Sequence, residues 1–307
     1  MKILNLGSMN IDNVYSVDEF ISPGETKLSK ELSLFCGGKG LNQSIAAAKA
    51  GNEVWHAGLV GNDGGMLLDK LRNNGVNTDL IYPMPGKCGH AIVQVNSKGQ
   101  NCILLYGGTN RCLTEKTVDS ILDAFGSDGM LLLQNEVNLL PYIIEQAANR
   151  GLYVALNAAP LDAAIFECPL EKLSWLIVNE VEGKQLVKCQ RDEDIIPVLE
   201  KRYPACSVLL TLGSRGAICR TPEKTVRISV CKAPVVDTTA AGDTFTGYFL
   251  YGMLNGVCLE DSLVLATVAS AICIGRPGAS DSIPLKAEVD AAIRSGAFIQ
   301  PVPERIR

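Results

Sequence analysis

The rhythm of hydrophobic and polar positions changes several times along the chain, and the changes outline its elements. Residues 2–6 form a short apolar run ending at Gly7, the pattern of a buried strand. Between residues 14 and 35 the alternation is loose and Pro23-Gly24 interrupts it, which predicts short strands joined by turns. Gly37-Gly38-Lys39-Gly40 precedes an alanine-rich segment, 42–49, closed by Gly51, and this predicts a helix. Residues 53–59 read as strand and 64–73 as helix. Two β-rich runs, 89–96 and 101–106, flank Ser97-Lys98-Gly99-Gln100, a hairpin signal. Helical periods follow at 113–124, 139–150, 180–187 and 191–202, interleaved with strand runs at 130–134, 152–156, 175–178 and 207–212. After Gly242, Phe245, Phe249 and Met253 recur at helical spacing, and an apolar stretch covers 259–274. Such alternation predicts an α/β fold, a mostly parallel sheet with helices on both faces. The early β-rich runs, about 13–36 and 88–107, predict a separate small sheet within one 307-residue domain.

Composition narrows the function more than the fold. A hydrophobic share of 47% and a charged share of 20% describe a chain able to bury a large core. A net charge of −5 argues against a partner that follows nucleic-acid phosphates. The eleven cysteines are odd in number and none are spaced C-x-x-C, and there are two histidines. They read as reduced thiols in a cytoplasmic compartment. The longest uncharged apolar stretch, 263–275, is shorter than a membrane span needs, and residues 2–6 are too short for a signal segment.

The chemistry concentrates in Val236-Asp237-Thr238-Thr239-Ala240-Ala241-Gly242-Asp243-Thr244-Phe245-Thr246-Gly247. Ala240, Ala241 and Gly242 carry almost no side chain, so their amides can crowd an anion where a helix begins. Asp243 in the first turn, beside that anion, suits a general base for a hydroxyl attacking a phosphoryl group. Asn10 and Asp12 fall in the loop expected after the first strand, where α/β sheets gather ligands, although turn chemistry explains them equally. The Gly-Lys pair is not a phosphate-binding Walker loop, because Gly40 follows Lys39. Close backbone approach at Gly38 and Gly40, with Lys39 and Asn42 as donors, is the more economical role. Asn179 has the makings of a helix cap, and Thr211-Leu212-Gly213-Ser214-Arg215-Gly216 is a strand end with a glycine turn.

These segments, with Gly7-Ser8-Met9-Asn10-Ile11-Asp12, Gly37-Gly38-Lys39-Gly40-Leu41-Asn42-Gln43, Asn157-Ala158-Ala159-Pro160 and Asn179-Glu180-Val181-Glu182, occur in one order over nearly the whole chain. Together they resemble the pfkB-type carbohydrate kinases. The resemblance implies the ribokinase-like three-layer fold, with the small sheet as a lid over a sugar. It implies transfer of the γ-phosphoryl group of ATP, with Mg²⁺, to a primary hydroxyl, ribose O5 being the first expectation. Other sugars (deoxyribose, fructose, 2-keto-3-deoxygluconate) and nucleosides are the alternatives. On the sugar it places Asn10, Asp12, Gly38, Lys39, Gly40, Asn42 and Glu136. On the nucleotide it places Asn179, Glu182, Thr211, Gly213, Ser214, Gly216 and Gly242. It implies an activating K⁺ held by Asp237, Thr239, Cys273, Arg276, Gly278 and Ser282, mostly through backbone carbonyls, and a homodimer paired through the lids. His90 stands in a lid strand where relatives carry an apolar residue. A non-catalytic sugar- or nucleotide-sensing protein is disfavoured because Asp243 and the anion-hole residues are intact. A dinucleotide-dependent dehydrogenase would carry G-x-G-x-x-G after the first strand, and this chain does not.

Overall fold

Two sheets organise the computed structural model, which describes residues 1–299 and 301–306. The strands of the large sheet are β1 (Ile3–Leu6), β4 (Val54–Val60), β5 (Asn77–Pro83), β8 (Met130–Gln134), β9 (Tyr153–Asn157), β10 (Trp175–Asn179), β11 (Ser207–Thr211), β12 (Ala217–Arg220), β13 (Thr225–Ile228) and β14 (Glu304–Arg305). The small sheet is built from β2 (Asn10–Ser16), β3 (Glu31–Gly37), β6 (Gly89–Val95) and β7 (Asn101–Tyr106). The helices are α1 (Lys39–Lys49), α2 (Gly65–Asn73), α3 (Glu115–Phe125), α4 (Leu140–Asn149), α5 (Glu180–Val187), α6 (Ile195–Arg202), α7 (Ala241–Leu254), α8 (Leu259–Ile274) and α9 (Lys286–Ser295).

The large sheet runs β14-β13-β12-β11-β10-β9-β8-β1-β4-β5. It is parallel from β11 to β5, and the three strands beyond β11 are antiparallel. Alternate side chains of each central strand enter opposite cores. Ile3, Leu132 and Ile177 pack with α1, α7 and α8, whereas Leu4, Leu133 and Val178 pack with α3, α4 and α6. This is the expected three-layer arrangement. The chain starts at β1, builds outward through β4 and β5, then returns to β8 on the other side. Strand order therefore reverses between β1 and β8, the place where such sheets open a crevice at their carboxyl ends.

α7 packs between α1 and α8, and its Tyr248, Phe249 and Leu250 are wholly buried. At Gly247 a Cβ would stand 2.5 Å from Ala46 Cβ and 2.6 Å from the Ala47 nitrogen. Glycine there sets how closely α1 and α7 approach.

The small sheet runs β3-β2-β6-β7, and it corrects one expectation. Asn10 and Asp12 are not in a loop: β2 begins at Asn10, pairing with Gly37 and Gly89, so the sheet starts earlier than residue 13. Local turn propensity yields here to strand pairing on both sides. α1 likewise begins at Lys39 rather than at 42, so Lys39 and Gly40 lie in its first turn. Residues 192–194 form a separate 3-10 turn ahead of α6. The hairpin between β6 and β7 forms as expected, with Asn96 Oδ1 accepting from the Lys98 and Gln100 amides, both at 3.0 Å. Among the described residues no helix is long and apolar enough to cross a membrane.

Candidate active site

The crevice between β1 and β8 is lined by their carboxyl-end loops, the N-terminus of α1 and one face of the small sheet. Ser8 follows β1, and Glu136 follows β8. The Ser8 hydroxyl donates to Glu136 Oε2, which also accepts from the Lys39 amide at 3.0 Å. The glycine at position 40 is needed there: a Cβ would lie 2.4 Å from the Ser8 nitrogen. Glu136 is thus fastened to both β1 and α1.

Asn10 is held from behind. Asn110 Nδ2 donates to Asn10 Oδ1 at 2.8 Å and to the Met9 carbonyl at 3.2 Å, and Asn110 Oδ1 accepts from the Met9 amide at 3.1 Å. A cavity of about 190 Å³ opens between Asn10, Leu105, Asn110, Arg111, Glu136 and Pro160. Asp12 lies two residues along β2 from Asn10 and so shares its face. Burial, and then the charge of Glu136, push its carboxyl up to about 6. Register settles the direction of His90. It pairs with Ile11 and Tyr106, whereas Asp12 pairs with Ala91 and Ala91 with Leu105. His90 therefore lies on the face opposite Asn10 and Asp12, with its ring 4.9 Å from that of Tyr106.

On the other side, Asp243 is 7% exposed in the first turn of α7. Its Oδ2 accepts from Asn42 Nδ2 at 3.1 Å and its Oδ1 from Gln43 Nε2 at 2.8 Å. Sequence reasoning misses Gln43, although the polar triplet Asn42-Gln43-Ser44 in an otherwise apolar buried helix is a visible signal. Lys39 is half-buried, and the negative field of Asp243 holds its ammonium above the usual lysine value against burial. Glu136 and Glu182 add to that field. Ala240 caps α7 in the left-handed region, at φ 60° and ψ 8°, and the Ala241 amide donates to the Thr238 carbonyl at 3.3 Å. A Cβ at Gly242 would meet nothing within 4 Å, so packing within the protein does not require glycine there.

The other predicted residues fall into two groups. Asn179 caps α5, its Oδ1 accepting from the Val181 and Glu182 amides at 2.9 and 2.8 Å, and Glu182 Oε2 accepts from the Asn179 amide at 3.0 Å. Both side chains are therefore engaged in a capping box. Burial raises the Glu182 carboxyl above the usual range. Thr211 ends β11, and Gly213 and Ser214 form the turn after it. Gly216 has a reason within the fold, since its φ is 91° and a Cβ would lie 1.9 Å from the Ile228 carbonyl. Asp237 Oδ1 accepts from the Thr239 amide and hydroxyl at 2.8 and 2.6 Å, and Oδ2 from the Gly278 amide at 3.1 Å. Burial opposes its charge, yet these donors hold its carboxyl below the usual range. Cys273 Sγ lies 3.1 Å from Ser282 Oγ and 3.8 Å from the Thr239 carbonyl, joining them to the same cluster. The Cys273 carbonyl accepts from the Arg276 amide at 3.1 Å. The Arg276 side chain instead pairs with Glu288 at 2.6 Å.

Residues 1–286 match the pfkB family of carbohydrate kinases. A ribokinase of Staphylococcus aureus (strain COL) is 33% identical over 301 residues, covering 94% of this chain and 98% of that protein. The crystal structure of a ribokinase from Cryptococcus neoformans var. grubii serotype A in complex with ADP aligns with a TM-score of 0.82 at 33% identity, covering 94% of this chain and 99% of that one. The structure of Arabidopsis thaliana ribokinase complexed with ribose and ATP aligns with a TM-score of 0.85 at 28% identity, covering 95% and 98%.

Proposed function

The chain belongs to the pfkB family of carbohydrate kinases, and from that premise we propose that it is a ribokinase, transferring the γ-phosphoryl group of ATP to O5 of D-ribose. The observation that carries this reading is the placement of Asp243. It is a buried carboxylate at the start of α7, beside the small residues Ala240, Ala241 and Gly242, with Lys39 under its field and that of Glu136, which lines the cavity. Asp243 accepts the O5 proton as the bond from O5 to the γ-phosphorus forms. The bond from that phosphorus to the bridging oxygen breaks, and its electron pair leaves with ADP. The amides of Ala240, Ala241 and Gly242 face the charge on the transferred group, and the open space at Gly242 supports an approach there. Asn10, Asp12, Gly38, Lys39, Gly40, Asn42 and Glu136 fix the sugar hydroxyls. Asn179, Glu182, Thr211, Gly213, Ser214 and Gly216 line the nucleotide side.

Among the described residues no three His, Cys, Asp or Glu side chains gather into a metal site. Mg²⁺ commonly keeps its waters and is held largely by substrate phosphates. Bound with ATP, it supplies charge neutralisation for phosphoryl transfer. The Asp237 cluster offers a carboxylate, hydroxyls and carbonyls, a donor set suited to a hard cation such as K⁺. ADP release across ribose, deoxyribose, fructose, 2-keto-3-deoxygluconate and nucleosides, with K⁺ or Na⁺, tests the assignment. Ribose turning over no faster than the others would overturn it.

Asp12 gives the reaction a pH signature. Its ionised form accepts sugar hydroxyls, and its carboxyl titrates near 6. The KM for ribose is expected to rise as pH falls through about 6, and Asp12→Asn is expected to flatten that dependence. The sign for folding is opposite: a raised carboxyl binds its proton more tightly in the folded state. Asp12 therefore costs stability above pH 6, and the cost disappears below the ordinary value of 3.8. A KM independent of pH between 5 and 8 would remove Asp12 from the sugar site.

The small sheet acts as the lid. It leaves Leu32 and Leu34 on β3 and Ile103, Leu104 and Tyr106 on β7 at least half exposed. Exposed apolar strands of this kind seek a partner, and we assign it to a second copy. A strictly monomeric species in sedimentation at micromolar concentration would refute that pairing.

A further inference from the structure

From Asp243 runs a line of buried polar side chains joined by hydrogen bonds. Gln43 is wholly buried. Its Nε2 donates to Asp243 Oδ1 at 2.8 Å, and its Oε1 accepts from Gln134 Nε2 at 2.8 Å. Gln134 Nε2 also donates to Asn5 Oδ1 at 3.1 Å. Asn5 Nδ2 donates to Ser44 Oγ at 2.9 Å and to the Gly40 carbonyl at 2.8 Å. Ser44 Oγ lies 2.8 Å from His56 Nδ1. The line crosses α1, β1, β8 and β4, four separate elements of the fold. Like Asp243 itself, none of Gln43, Gln134, Asn5, Ser44 or His56 lines the cavity beside Glu136.

The direction of each bond from Asp243 to Ser44 follows from the carboxylate end. A carboxylate only accepts, so Gln43 must present its NH₂ to Asp243 and its oxygen to Gln134. Gln134 must then present NH₂ to both oxygens, and Asn5 must present NH₂ to Ser44. Ser44, accepting from Asn5, bonds His56 Nδ1 as donor or acceptor according to the imidazole tautomer. Burial pushes the imidazole down to about 4, so His56 is neutral at physiological pH. From Asp243 to Ser44 the network has one self-consistent polarity, which holds those side chains in single orientations, while Gln134 Oε1 and His56 Nε2 have no hydrogen-bond partner among the described residues.

We propose that Gln43, backed by Gln134, Asn5, Ser44 and His56, is a positioning residue that locks the carboxylate of Asp243 for proton abstraction. The inference rests on Asp243 being the base. Asn42 holds the other carboxylate oxygen and belongs to the sugar side; Gln43 touches the base from the buried side only. Removing its N–H leaves the carboxylate free to rotate and less stabilised as an anion. The first effect lowers turnover, and the second shifts the pH at which the base ionises.

The test compares Gln43→Met, Gln134→Leu and the double variant Gln43→Met/Gln134→Leu with the parent enzyme. Gln43→Met is expected to lower kcat by about 10- to 100-fold with KM for ribose and ATP within about threefold, and to move the acid limb of the kcat–pH profile upward. The double variant removes both members of one hydrogen bond and is expected to regain thermal stability without regaining kcat. Gln134→Leu keeps the Gln43 donor but frees its amide to turn over, so it should show the same pH shift with a smaller loss, and it decides the matter if Gln43→Met does not fold. A kcat within threefold of the parent in the folded single variants, or a kcat that recovers with stability in the double variant, overturns the proposal. Parent turnover and its loss in Asp243→Asn report separately on the reading beneath it.

Discussion

Replacing Asp243 by Asn is expected to lower kcat by about 10²–10⁴-fold, the usual contribution of a positioned base, with ribose affinity nearly unchanged. The substitution is close to isosteric, and the site can absorb it. Gln43 still donates to the remaining oxygen at position 243. Asn42, whose own Oδ1 has no hydrogen-bond partner among the described residues, can turn its amide and accept from the new NH₂. Folding is therefore preserved while the proton acceptor is lost. Calorimetric ribose binding beside a steady-state ADP assay separates the two. Turnover within tenfold of the parent would remove Asp243 from the mechanism.

Gly247→Val is expected to have the largest effect on stability, roughly 3 kcal/mol at the upper end of the overpacking range. A Cβ at this position meets Ala46 Cβ and the Ala47 nitrogen at 2.5 and 2.6 Å, and the latter is backbone that cannot swing aside. The contact lies one helical turn from the chemistry on both helices. Gly247 is four residues after Asp243, and Ala46 and Ala47 are four after Asn42 and Gln43. Parting α1 from α7 to admit the side chain therefore draws Asp243 away from its two amide donors. A fall of about 10²-fold in kcat should accompany the lower melting temperature. Gly247→Ala should show a milder version, and Ala46→Gly added to it should recover part of both losses. Full activity in a folded Gly247→Val would mean that the crossing does not set the geometry of the base.

The order of the motifs and the alternation of periods make the three-layer fold and the family legible in the amino-acid sequence. What is not legible there depends on pairing and burial. Asn10 and Asp12 carry turn chemistry in isolation, and only the flanking β3 and β6 make them strand residues. Gly38-Lys39-Gly40 looks like a loop because glycine disfavours helix. Yet the Leu41 amide bonds to the Ser8 carbonyl at 2.9 Å, and this anchors α1 from its first turn. Gln43 shows only through the polar triplet it belongs to, Gln134 and Asn5 do not stand out because polar side chains are ordinarily surface residues, and nothing in their local sequence reveals that the three meet one another across 91 and 129 positions. The short strands β12 to β14 carry too few residues for their period to show. The direction of His90 follows from strand register, which one sequence does not contain.

The small sheet and the α1–α7 crossing divide the labour in a way an enzyme engineer could use. Ala91 and Leu105 share the face of the small sheet that carries Asp12, the face proposed to meet the sugar, but they have no part in the line of amides that holds Asp243. Libraries confined to those two positions could retune which polyol is accepted while leaving the phosphorylation machinery, anchored in a different layer, as it is.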